Sequence, residues 1–150
     1  MKSRYLGFTL LAVPFLVLAF VLPYKLIHEQ NLKNSINNSI QLEISNLSHQ
    51  DNAFAKPVTF CKWGYRSLSI RCSGESKSII RYEFQMIKES MADKGWRVSA
   101  ERIGNPNEGY LRLASLSKDN LTSTIREVDG PGSAEVTISQ TRSTYTWGAK

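Results

Sequence analysis

The chain has 150 residues, 41% hydrophobic and 21% charged, with a formal net charge of +6. With an apolar N-terminal run and its flank set aside, about 95 to 125 residues remain, room for one small domain and not two. The positive surplus is dispersed, since Arg81, Glu83, Lys88, Glu89, Asp93 and Lys94 alternate in sign; this describes a solvated surface and excludes the clustered basic and aromatic face of a nucleic-acid binder.

Tyr5 to Leu22, YLGFTLLAVPFLVLAFVL, holds eighteen residues and no charge. As a helix it extends roughly 27 Å, near the lower end of a bilayer crossing, and in lipid only a helix satisfies its backbone. Residues 5–22 are therefore expected to be a transmembrane anchor in the lipid bilayer. Lys2 and Arg4 precede the run and Lys25 follows it more sparsely, a bias that leaves residues 1–4 as a cytoplasmic tail and sends the rest across. The expected location is a bacterial inner membrane with the domain in the periplasm. Cleavage by a signal peptidase needs small residues one and three positions before the cut, and Ala19-Phe20-Val21-Leu22-Pro23 offers no such pair. A secreted binding or inhibitor domain is the reading that would follow if the run were nevertheless removed.

Within the run, Gly7-Phe8-Thr9-Leu10-Leu11 follows a short basic leader. This stretch resembles the processing site of type IV prepilins and their secretion-system relatives. The resemblance implies cutting after Gly7, methylation of Phe8, and assembly of a pilin- or pseudopilin-like subunit through a hydrophobic N-terminal helix. The family's glutamate, fifth in the mature chain, falls here at Ala12.

Residues 23–54 are rich in Asn and Ser, with Leu32, Ile36, Ile40, Ile44 and Leu47 spaced by four, four, four and three. That spacing puts them on one side of a helix. Asn and Ser form helices poorly, so the segment reads as a polar, partly helical stalk whose stripe rests on the domain. The alternative is self-association through the 32–47 stripe. His28 and His49 lie here without neighbouring cysteines, which gives no metal-ligand set.

Residues 55–150 read as the domain. Val58 to Cys72 alternates aromatic and β-branched residues with polar ones around a turn at 64–67, the pattern of a hairpin. With Arg66 and Ser67 as a two-residue loop, the partners are Tyr65 with Leu68, Trp63 with Ile70, and Cys61 with Cys72. Opposed β-carbons lie roughly 4.5–5.5 Å apart, close enough for a disulfide in an oxidising compartment. Ser73 to Lys94 then takes a helical period through Ile80, Phe84, Ile87 and Met91, with Ser76 or Ser78 as its cap and Gly95 ending it. Strands are expected at 96–101, 110–116, 121–128 and 134–142. The last is the cleanest, with Ala134, Val136 and Ile138 alternating against Glu135, Thr137 and Ser139.

The whole reads as an α+β protein, an N-terminal transmembrane helix followed by a small antiparallel sheet with one packed helix, in the order β-β-α-β-β-β-β. From Ala55 onward there is no histidine, and the cysteine spacing fits neither a zinc site nor a Cys-x-x-Cys redox pair, so neither catalysis nor a cofactor is expected. The expected function is binding or structural association with a protein of the envelope. Tyr65, Tyr110 and Trp147 are the candidate contact surface.

Overall fold

The computed structural model describes residues 4–47, 54–64, 69–104, 109–128 and 132–145, and of these the side chains of 4–14, 16–18 and 145 are left undescribed. The elements are α1 (Arg4–Leu47), β1 (Val58–Trp63), β2 (Ser69–Ile80), α2 (Phe84–Asp93), β3 (Arg97–Ile103), β4 (Arg112–Lys118), β5 (Leu121–Glu127) and β6 (Ala134–Tyr145). The β-β-α-β-β-β-β order after the first helix holds, and the chain is α+β.

The six strands form one antiparallel sheet in the order β1-β2-β6-β5-β4-β3. The hairpin β1–β2 leads through α2 to the far edge, and the meander β3 to β6 walks back until β6 lies against β2. In the hairpin Trp63 faces Ile70 and Cys61 faces Cys72, the register read from the sequence, and the two cysteines are bridged with Cα atoms 4.0 Å apart. The proposed Tyr65–Leu68 pair lies outside the described residues.

One sheet face carries the core. Ile70, Cys72, Ile80, Val136, Ile138 and Ile125 are buried there beneath two helices, α1 over β1, β2 and β6, and α2 over β5. The other face is largely hydroxylated, with Ser73 bonded to Thr141 at 3.0 Å and Thr122 to Ser139 at 2.9 Å.

Four expectations change. Residues 23–47 are not partly helical but the second half of the unbroken α1, while the stripe rests on the domain as expected, with Leu32, Ile36 and Ile40 in its core. Two helices therefore cover the sheet rather than one, and the 32–47 stripe is spent on the chain's own strands. The second helix starts at Phe84 after an N-cap at Glu83, not at Ser76 or Ser78, because β2 continues to Ile80. The strand expected at 96–101 runs from Arg97 to Ile103 and is exposed along its whole length, since β3 is an edge strand and carries a bulge between Val98 and Ala100.

Gly74 shows why the helix lies so close. A β-carbon there would sit 2.5 Å from Ile36 Cγ2 and 2.7 Å from Thr59 Oγ1, so only glycine lets α1 reach the strand. Gly95, at φ +87°, ends α2 in the left-handed region as its sequence position implied. Among the described residues no helix is long and apolar enough to cross a membrane. The expected transmembrane helix at 5–22 gains no support from them, and most of that run lies outside the residues whose side chains are described.

Candidate functional site

Where α1 ends, the sheet is no longer covered by it and α2 has not yet closed the gap. Leu47 and Phe54 form one wall, Ile80 and Tyr82 the exit of β2 another, and Met86, Ile87, Ser90 and Met91 of α2 the third, over Val136 as floor. Lys94 stands at the rim, and the groove encloses about 250 Å³. A 150 Å³ apolar cavity holds a benzene ring, so there is room for one or two apolar side chains.

The local sequence explains the opening. The stripe Phe84, Ile87 and Met91 turns inward, 1%, 6% and 2% exposed, while Met86 on the adjacent face remains 55% exposed and Tyr82 43% exposed. An unbranched thioether adapts to irregular apolar shapes. Lys94 Nζ donates to the Asn46 carbonyl at 2.6 Å, placing a cation on the otherwise unsatisfied C-terminus of α1. None of the lining residues is a carboxylate, histidine or cysteine; the polar groups of the groove are those of Tyr82, Ser90 and Lys94. Among the described residues no cluster of His, Cys, Asp and Glu could hold a metal ion.

The buried charges outside the groove are satisfied. Glu43, 5% exposed, accepts from Trp96 Nε1 at 2.9 Å and from Lys118 Nζ at 2.8 Å, fastening α1 to the start of β3 and the end of β4. Arg112 donates to Glu127 through Nε at 2.7 Å with its guanidinium 5.0 Å from the Phe84 ring, and that carboxylate holds the guanidinium above its ordinary value. Nearer the middle of α1, Glu29 accepts from Trp63 Nε1 at 2.7 Å and pairs with Lys33 at 2.6 Å. The Lys33 ammonium, ahead of the Trp63 N–H, holds the Glu29 carboxyl below its ordinary value against a smaller opposing effect of burial.

Of the residues read from the sequence as a contact surface, Tyr110 is half-buried against its own turn, with Arg102 5.9 Å from its ring. Tyr65 and Trp147 lie outside the described residues, and Tyr110 is not among the residues that line the groove. The groove itself was missed, although Met86 and Tyr82, apolar residues off the inward stripe of α2, were a usable signal. So was Glu43, a lone acid inside the apolar stripe of α1, for the Trp96 contact. No protein-family model, curated protein or solved structure matches this chain, so the site is judged on its geometry alone.

Proposed function

We propose that the protein is a single-pass membrane-anchored binding module without catalytic chemistry. Residues 5–22 sit in the lipid bilayer, and the disulfide-bonded domain works on the extracytoplasmic side. The observation that carries this reading is the unequal cover of α1. Its second half is core, whereas Phe15 and Phe20 are 71% and 72% exposed and Leu26 and Ile27 57% and 60%. Contiguous apolar surface of this kind needs a cover that the domain does not supply, and lipid is the cover an uncharged eighteen-residue run fits. The bridge between Cys61 and Cys72 supports an oxidising compartment.

The groove beside α2 then takes an apolar side chain from an envelope protein, with Lys94 facing an acidic neighbour of that side chain. Its size, its Met lining and the rim cation favour such a segment over a large cofactor. The test is topological. The full chain should stay in the membrane fraction through alkaline carbonate extraction, and a reporter at its C-terminus should be active only outside the cytoplasm. Extraction into the carbonate supernatant, or two free thiols in freshly lysed cells, would refute the reading.

One observation favours a second reading, the filament subunit. Because α1 is unbroken from Arg4 to Leu47, a chain cut after Gly7 would begin inside a helix that continues as the spine of the folded domain. Assembly through a hydrophobic N-terminal helix requires that continuity. Intact mass separates the two, since processing removes seven residues and adds a methyl group to Phe8.

A further inference from the structure

The end of the domain opposite the groove is its near-membrane end, and its chemistry is of a different kind. On the anchor reading, on which this inference rests, α1 sets the height of each contact above the hydrocarbon. Lys25 lies three residues beyond Leu22 and Glu29 seven, about 5 and 10 Å along the helix. The headgroup layer occupies about 5–8 Å on each side of the hydrocarbon core. Trp63, the last residue of β1, is held from two sides between those heights, across the outer edge of that layer. Its indole N–H is bonded to Glu29, and the Lys25 ammonium lies 5.0 Å from its ring.

Even so fixed, Trp63 is 39% exposed, and Tyr24, the residue before Lys25 on α1, is 47% exposed. Trp and Tyr are the side chains that settle at the boundary between lipid and water. One residue back along β1, Lys62 stands directly opposite Arg71 of β2 on the uncovered face of the sheet, and both are exposed. Like charges opposed across two strands repel. Among the described residues neither has a carboxylate within ion-pair distance, although Lys33, Lys77, Lys88, Arg112 and Lys118 each do. Two cations placed opposite each other with no carboxylate partner among the described residues, one of them next to Trp63 in sequence, fit an external anionic surface.

We propose that the Trp63 end of the domain rests on the headgroup layer of the membrane that holds α1, with Trp63 at the boundary and Lys25, Lys62 and Arg71 on anionic lipid phosphates. The sheet then stands upright on the bilayer and the groove faces away from it. The proposal places a second lipid contact, outside the anchor, on the folded domain itself.

The test uses the full chain with Trp147 replaced by Phe, reconstituted in vesicles of phosphatidylcholine alone or mixed with phosphatidylglycerol. Trp96, 2% exposed and bonded to Glu43, stays as a shielded background. Lipids bearing a quencher near the headgroup should quench Trp63 emission, more strongly in the mixed vesicles. The double variant K62Q/R71Q should lower that quenching at least about twofold. A companion chain carrying F15W, W63F and W147F reports the anchor alone through a quencher deep in the acyl chains. Quenching of the companion without quenching of Trp63 overturns the proposal and leaves the anchor standing. Absence of both overturns the anchor and the proposal together. Trp63 quenching that is indifferent to anionic lipid and to K62Q/R71Q refutes recognition of lipid phosphate.

Discussion

The two halves of α1 share one backbone and differ in what surrounds them. Residues 32–47 carry a narrow stripe in a polar background, with Leu32, Ile36 and Ile40 buried against the sheet and Ile44 and Leu47 partly so. Earlier in the same helix the apolar residues go all the way round, and at 15, 20, 26 and 27 the domain leaves them bare. Helical propensity does not make this division, because the Asn- and Ser-rich half is the poorer helix former and yet the better held. What holds it is tertiary. Asn37 accepts from Thr59, Ser35 accepts from Arg142 at 2.6 Å, and Glu43 ties Trp96 and Lys118 to the helix. One half of the helix belongs to the domain and the other to the surroundings of the chain.

The sharpest way to break this contrast is to truncate matched residues in each half. Ile36, fully buried between α1 and β2, should cost about 3–4 kcal/mol of unfolding free energy when changed to Ala. Phe20→Ala should leave the domain's unfolding midpoint unchanged in detergent and act only on retention in the membrane. Gly74→Val tests the same seam from the strand side, where the added side chain meets Ile36, and should cost about 3 kcal/mol. Denaturant melts of the detergent-solubilised chain measure all three. An equal loss for Phe20→Ala would show that the N-terminal half is part of the domain after all.

Next in size is the bridge. Replacing Cys61 and Cys72 together by Ser should cost about 2–3 kcal/mol, the value for closing so short a loop. Dithiothreitol should lower the midpoint of the unsubstituted protein by the same amount. Glu43→Gln keeps the shape but weakens the bond to Lys118, and should cost about 1–2 kcal/mol, with Trp96 emission shifting as its indole partner changes.

The smallest effect is a pH dependence at Glu29. Its folded value is depressed below the ordinary 4.5, so its contribution is fully present above that value and is lost as pH falls through the folded value. The loss should stay below about 1 kcal/mol, as for other solvent-screened pairs. Glu29→Gln should remove this part of the acid sensitivity in midpoints measured between neutral pH and about pH 3.

Much of the domain was legible because strand alternation and turn chemistry are local. The hairpin register and the bridge follow from Val58–Cys72, and the last strand from Ala134, Val136 and Ile138. What was not legible depended on size rather than polarity. The inward positions of β2 include Gly74, Ser76 and Ser78, chosen small so that the helices can approach, and they hide its period of two. Ile79 and Ile80 then look like the first turn of the helix that follows. The α1 stripe was visible, but whether it met a sheet, a partner or water is a question of where distant residues lie. The groove was illegible for the same reason, since Leu47, Ile80, Met86 and Val136 converge from four separate elements.

The position of β6 has a consequence for how the protein is made. This strand joins β2 to β5 at the centre of the sheet, yet among the described residues it is the last to leave the ribosome. Until it arrives, the hairpin and the meander have no backbone ladder between them, and their shared interior stays open. The sheet can therefore close only once β6 has emerged, at the slow pace of long-range pairing. A chain interrupted before Ala134 would be delivered as two unjoined pieces and offered to whatever proteases patrol its compartment.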